Sequence, residues 1–91
     1  MNRSDILAQA DDIINNDRAA AHGDAHKTFA MIADRWTNLL NIPVSPEEVA
    51  LMMIDLKIVR TLQSPRRADN WVDIIGYAAL GAEIAGAKDD K

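Results

Sequence analysis

The stretch from Ser45 to Gln63 constrains the fold more than any other part of the sequence. It opens with Ser-Pro-Glu-Glu, in which a serine N-cap, a proline at the first helical position and a glutamate three residues after the cap make a capping box. The residues that follow are apolar on nearly every side of the helix that this signal predicts. Such a helix lies at the centre of a bundle or at a contact between subunits.

Apolar residues also recur at helical spacing in three other segments. We predict helices over about residues 5–17, 25–40, 46–62 and 70–86, with Ser4, Asp24 and Asp69 as the N-caps of the first, second and fourth. The chain of 91 residues is long enough for one domain, which is all-α and built as a compact four-helix bundle.

Two glycines interrupt the last predicted helix. Gly76 and Gly81 each cost roughly 1 kcal/mol against alanine inside a helix, so their presence predicts a close approach of a neighbouring helix. Because a short chain with a two-sided apolar helix needs additional burial, we predict a homo-oligomer that forms through the third or the fourth helix.

The overall charge and the cysteine content exclude several classes of function. The formal net charge of −4 makes binding of duplex nucleic acid unfavourable. The sequence has no cysteine, which excludes disulfides and thiolate metal sites. No apolar run approaches the ~20 residues of a membrane span, and the N-terminus does not resemble a signal peptide. We therefore expect a cytoplasmic protein that does not enter a membrane.

Four charged residues stand beside this apolar surface. Lys57 and Arg60 are neighbours near the end of the third helix, and Asp69 and Asp73 are neighbours near the start of the fourth. A short turn makes the two helices antiparallel, so we expect the four side chains to meet. They form either a pocket that binds a phosphate or another anion, or a structural brace that fixes the register of the helices.

Other residues could complete such a pocket. Arg18, His22 and Asp24 lie in the connection between the first two helices, from which Arg18 and His22 could reach over it. Tyr77 shares a face with Asp73 and could stack on a base or lie in the core.

The carboxylates also raise the possibility of a metal site. The candidate cofactor is Mg²⁺, which prefers carboxylate oxygens as ligands. The candidate ligands for a Mg²⁺ ion are Glu48, Asp55, Asp69 and Asp73.

The sequence as a whole resembles a family of small phage and prophage proteins of uncharacterised function. The residues that carry the resemblance are Asp17-Arg18, His22-Gly23-Asp24, Phe29, Ile32-Ala33, Trp36, Val49-Ala50-Leu51-Met52-Met53, Leu56-Lys57-Ile58, Arg60, Asp69-Asn70, Asp73 and Gly76-Tyr77-Ala78. The family usually has Tyr-Gly-Asp where this chain has His22-Gly23-Asp24. More remotely, the chain is similar to the nucleotide modification associated domain 1 proteins and to the MazG-like all-α nucleotide pyrophosphohydrolases.

The resemblance implies a phage-encoded helical protein that handles nucleotides or their phosphates. The Glu-x-x-Glu and Glu-x-x-Asp metal motifs of the MazG-like enzymes do not occur in this sequence. Three hypotheses follow: a binding protein for a nucleotide or phosphate-bearing molecule, a Mg²⁺-dependent pyrophosphohydrolase, and a non-enzymatic interaction module whose partner could be a host protein.

Overall fold

The computed structural model describes residues 1–16 and 24–89, and all the regular structure within these ranges is helical. The four helices are α1 (Arg3–Asn15), α2 (Ala25–Leu40), α3 (Pro46–Gln63) and α4 (Ala68–Ile84). The all-α prediction is confirmed, and the observed helices differ from the predicted ones only at their ends.

The capping box at the start of α3 is present as predicted. The Ser45 hydroxyl accepts a hydrogen bond from the Glu48 backbone N–H at 3.3 Å, and the Glu48 carboxylate accepts one from the Ser45 N–H at 2.9 Å. Asp24 caps α2 as expected, because its carboxylate accepts a hydrogen bond from the His26 N–H at 2.9 Å. These bonds satisfy N–H groups that have no partner within a helix.

Two predicted caps are wrong. Asn2 caps α1 in place of Ser4, because Asn2 and Asp5 have the spacing of a capping box and exchange bonds of 2.9 and 3.1 Å. α4 begins before Asp69, after Arg67, whose side chain makes no capping bond. Asp69 instead lies in the first turn of α4, where its charge is favourable to the helix dipole.

α3 and α4 form the central pair of the molecule. The two helices run antiparallel. Ala50, near the start of α3, contacts Gly81, near the end of α4, whereas Lys57 and Asp73 meet closer to the turn that joins the helices. α1 packs against α4, and α2 packs against α3. Thr37 ties down the connection between α2 and α3, because its hydroxyl accepts a hydrogen bond from the Val44 N–H at 2.9 Å.

The main core lies where α2, α3 and α4 meet. Val49 and Ala50 of α3 are buried there against Phe29 and Ala33 of α2. The Phe29 ring stacks on Tyr77 of α4, with ring centroids 6.3 Å apart. Further side chains pack partly buried around these residues: Ile32, Trp36, Val44, Met53, Leu80 and Ile84.

The glycines of α4 mark two close helix contacts, as predicted. A Cβ atom on Gly81 would lie 2.8 Å from the Cβ of Ala50, and one on Gly76 would lie 3.3 Å from Cγ2 of Ile14. Gly81 thus lets α3 approach α4, and Gly76 lets α1 approach the same helix from another side. None of the helices in the described ranges is long and apolar enough to cross a membrane.

Arg60 shares one stripe of α3 with Val49 and Met53 but is exposed. Val49 and Met53 on that stripe contact the core that α2 helps to form, whereas Leu56 and Arg60 are exposed. The reason is that α2 covers only the first half of this side of α3. Beyond Met53 the same side of the helix faces solvent.

Candidate functional site

Lys57 of α3 forms an ion pair with Asp73 of α4. Within residues 1–16 and 24–89, it is the only ion pair that links α3 to another helix. The Lys57 Nζ atom lies 2.9 Å from the Asp73 Oδ2 atom, and the two side chains are 19% and 28% exposed. The pair therefore lies mostly within the contact between the two helices. A lysine in such contact with a carboxylate is largely neutralised and has little charge left for another anion.

Arg60 and Asp69 do not join this pair. Asp69 lies 4.0 Å from Arg67, and both of those side chains are exposed. Arg60 is exposed and makes no ion pair within the described ranges. Of the four charged residues that the sequence suggested would meet, the structure brings two together.

The geometry of a helix explains why the other two lie outside. One turn after Lys57, the position that faces α4 is Thr61, four residues on, whereas Arg60 is rotated away. One turn before Asp73, the inward position is Asn70, three residues back, and Asp69 is rotated toward solvent. Thr61 and Asn70 are accordingly the buried polar residues here.

The sequence analysis did not identify Thr61 and Asn70. Both lie one helical turn from the charged pair, so their spacing in the sequence could have indicated that they face the same contact. The antiparallel register places the two at the same level of the helix contact, next to the turn. The Thr61 hydroxyl donates a hydrogen bond to the Lys57 backbone carbonyl at 2.7 Å. Neutral polar groups thus occupy the level at which a second ion pair was expected.

Two of the remaining candidates for the pocket, Asp24 and Tyr77, have other roles in the structure. Arg18 and His22 lie outside the described residues. Asp24 is used as the cap of α2, and Tyr77 is stacked on Phe29 in the core, which is the structural alternative for this residue. The described positions therefore do not place a ring or a second cation beside Lys57.

The candidate Mg²⁺ ligands are also separated. Glu48 lies in the capping box, Asp55 on the exposed side of α3, Asp69 beside Arg67, and Asp73 against Lys57. Within the part of the chain that the structure describes, no three acidic or histidine side chains form a group that could hold a metal ion.

Glu48 shows a clear change in acidity. The Ser45 backbone N–H, and to a smaller extent the Ser45 hydroxyl, hold the pKa of the Glu48 carboxyl below its ordinary value of 4.5. The cause is local capping, and the side chain is on the surface. This shift is therefore a property of the helix start and does not indicate a catalytic group.

The outward face of α3 exposes several large apolar side chains that the described helices do not cover. Six large apolar side chains on it are between 40% and 77% exposed. We call this set the α3 outer face: Leu51, Met52, Leu56, Ile58, Val59 and Leu62. Monomeric proteins rarely expose contiguous apolar surface of this kind unless it is used for binding.

One charged residue lies within the α3 outer face and another lies at its edge. Asp55 is exposed among the six apolar residues, and Arg60 is exposed beside Leu56. Neither makes an ion pair with any residue of the described ranges. The face thus presents one anion and one cation that are both available to a partner.

Comparison with known proteins places the chain among phage proteins. It is 38% identical over 87 residues to the Gene 55 protein of Mycobacterium phage L5, a match that covers 94% of this chain and 56% of that protein. It is 30% identical over 79 residues to the Gene 55 protein of Mycobacterium phage D29, covering 87% of this chain and 52% of that protein. The chain therefore spans about half the length of these relatives.

The expected relationship to a small phage family of uncharacterised function is confirmed by these matches. No solved structure matches the chain. The family described as "Domain of unknown function (DUF6378)" matches residues 5–85. Since that match spans most of the chain, the protein belongs to the DUF6378 family.

Proposed function

We propose that this protein is a non-enzymatic helical interaction module that pairs with a second copy of itself through the α3 outer face. The observation that carries the proposal is the set of six large apolar side chains exposed along one side of one helix. Burial of such surface is the main driving force of protein association. The proposal includes action in the host cytoplasm, because the matched relatives are phage proteins.

The composition of the face favours a second copy as the occupant. Two α3 helices that run antiparallel about a two-fold axis place the apolar face of each copy against that of the other, because such a contact uses the same patch twice. Asp55 is the exposed charge among these apolar side chains, and Arg60 lies at the edge of the face. Because the two positions are about 140° apart around the helix, Arg60 stays at the rim of such a pair.

The size of the face sets the expected strength. The apolar residues from Leu51 to Leu62 span about 18 Å of helix. Stable protein interfaces bury about 800 Å² on each partner, which is more than one side of a single helix of this length supplies. We therefore expect a dimer that dissociates on dilution, in contrast to an obligate one.

In this proposal the Lys57–Asp73 pair is a brace between α3 and α4. It holds the inward side of α3 in register so that the outward side is presented on a rigid support. The two opposite charges satisfy one another at 2.9 Å, which supports a structural role over a ligand-binding role.

Nucleotide binding and MazG-like hydrolysis are the competing hypotheses. Both need several cations or carboxylates to converge. The contact between α3 and α4 supplies one lysine that is already paired, and no three acidic or histidine side chains of the described ranges form a metal-binding group. Calorimetric titration with a panel of nucleotides, with and without Mg²⁺, tests them directly. Binding that is lost in Lys57→Met would replace the proposal with a ligand site at the ion pair.

Charge introduced into the face tests the dimer. We expect Leu51→Glu and Val59→Glu each to weaken association about tenfold or more, because the two-fold pair would bury two unpaired carboxylates. Sedimentation equilibrium measures both, and Met31→Glu, at an equally exposed apolar position of α2, serves as the control.

Two outcomes would contradict the proposal. In one, the native chain is monomeric at every concentration. In the other, it associates but neither Leu51→Glu nor Val59→Glu differs from Met31→Glu, which would place the contact on another surface.

A further inference from the structure

A second surface lies on the opposite side of the central pair, between α1 and the start of α4. The first turns of α1 and the N-terminal half of α4 enclose an open groove of about 600 Å³. Apolar side chains from both helices line it, among them Ile6, Leu7, Trp71 and Ile75. None of the residues of the α3 outer face lines this groove, so it is a separate feature.

The charged residues that line the groove are both arginines. Arg3 comes from α1 and Arg66 from the turn before α4. Neither makes an ion pair with another residue in the described ranges. The nearby carboxylates are engaged elsewhere, since Asp5 caps α1 and Asp69 lies beside Arg67. On a chain of net charge −4, this groove is a local cationic site.

Trp71 is held in a fixed orientation at the groove. Its indole N–H donates a hydrogen bond of 2.9 Å to the Pro65 backbone carbonyl, while the residue is 48% exposed. The ring therefore presents apolar surface to solvent without the freedom of a loose side chain. Tryptophan and arginine are the residues most enriched at the energetic centres of protein interfaces, and a fixed ring loses little entropy on binding.

We propose that this groove is the docking site for an acidic amphipathic helix of another protein. Apolar side chains of that helix would lie against Trp71, Ile75 and Ile6, and its carboxylates would meet Arg3 and Arg66. A groove between two packed helices accepts a third helix in this way, through apolar side chains at helical spacing. Guanidinium groups pair well with carboxylates because they present several donors in one plane.

The lining favours a peptide over a nucleotide. Apart from the two guanidinium groups, the side chains that line the groove are apolar. The indole N–H, which could read a base edge, is already bonded to Pro65. Recognition of a base edge requires acceptors as well as donors, and none of the lining side chains carries an oxygen acceptor, whereas aliphatic side chains find apolar contacts throughout the groove.

The experiment is a selection from a displayed library of helical peptides with randomised surface positions, using the full chain as target. Enriched clones should carry an apolar stripe together with net negative charge. Arg3→Glu combined with Arg66→Glu should weaken their binding about tenfold or more. Arg67→Glu is the matched control, because Arg67 neighbours Arg66 and does not line the groove, and it should change affinity less than about twofold.

Two further measurements locate the contact. In an NMR titration, the indole N–H signal of Trp71 should shift with a selected peptide. A version of that peptide with lysine in place of glutamate should bind the Arg3→Glu/Arg66→Glu variant more tightly than it binds the native chain. This rescue separates charge recognition from loss of folding.

Several results would overturn the docking site. They are a selection that yields no binders, binders without acidic bias, or binding that Arg67→Glu weakens as much as the Arg3→Glu/Arg66→Glu variant does. A Trp71 signal that moves on concentration of the chain alone would assign the groove to a second copy, and one that moves with a nucleotide would assign it to that ligand. The first three results leave self-association through the α3 outer face untouched, whereas a Trp71 signal that moves with the concentration of the chain would count against it.

Discussion

The two sides of α3 have similar residues and opposite surroundings. On the inward side, Val49 is completely buried and Lys57 is paired with Asp73. On the outward side, Val59 is 55% exposed and Leu62 is 77% exposed. The difference comes from where α2 and α4 lie, since nothing in the apolar sequence of α3 itself distinguishes a side chain with an internal partner from one without.

The largest expected effect on stability is that of Val49→Ala, and Val59→Ala is its matched control on the outward side. The first removes two methyl groups from the core and should lower the free energy of unfolding by about 2–3 kcal/mol. The second should change it by less than about 0.5 kcal/mol when measured on dilute protein. Denaturant unfolding gives both values, and equal losses would contradict the assignment of the two sides.

The contact at Gly81 offers a way to sharpen the account of the inward side. In Gly81→Ala the new methyl group meets Ala50 at 2.8 Å, so we expect the free energy of unfolding to fall by about 1–2 kcal/mol. Gly76→Ala is the comparison, because its methyl group meets the end of the Ile14 side chain at 3.3 Å, which can move aside. A Gly81→Ala variant that is as stable as the native protein would show that α3 and α4 can separate slightly without cost.

Much of this arrangement could be predicted from the sequence. The Ser45 capping box, the helical spacing and the two glycines are signals that a few neighbouring residues carry. The structure confirms the capping box, the four helices and the close helix contacts at both glycines. Ser4 and Asp69 failed as caps because a better or earlier helix start lies within two residues. Local patterns place a helix well and its first residue less well.

The candidate site was harder to predict, because it depends on the rotation of one helix against another. Residues three and four apart are both neighbours on a helix, yet only one of them faces a given partner. Thr61 and Asn70 face inward, and Arg60 and Asp69 do not. The exposed state of Leu56 likewise depends on where α2 ends, which no pattern within α3 encodes.

The ion pair on the inward side should behave as a brace. Lys57→Met or Asp73→Leu alone leaves a partly buried charge without its partner, and we expect a loss of about 1 kcal/mol in the free energy of unfolding. The double variant should be close to the native value or above it. A double-mutant cycle checks this, and two additive losses would mean that the side chains do not act on one another.

The smallest expected effect concerns the start of α3. The folded pKa of Glu48 is lowered, so its stabilising contribution is complete above the ordinary value of 4.5 and is lost as the pH falls through the lowered folded value. The native chain should therefore lose more stability than Glu48→Gln in this acidic range. Parallel pH dependences of the two proteins would show that the Ser45 bonds do not favour the carboxylate.

The most direct test of the central claim is the molar mass of the native chain as a function of its concentration, measured by sedimentation equilibrium. If the α3 outer face pairs with a second copy, the mass rises from 10.0 kDa toward twice that value as the protein is concentrated, and Val59→Glu holds it at the lower value. A native chain that keeps a mass of 10.0 kDa at the highest concentration that stays in solution would contradict the claim.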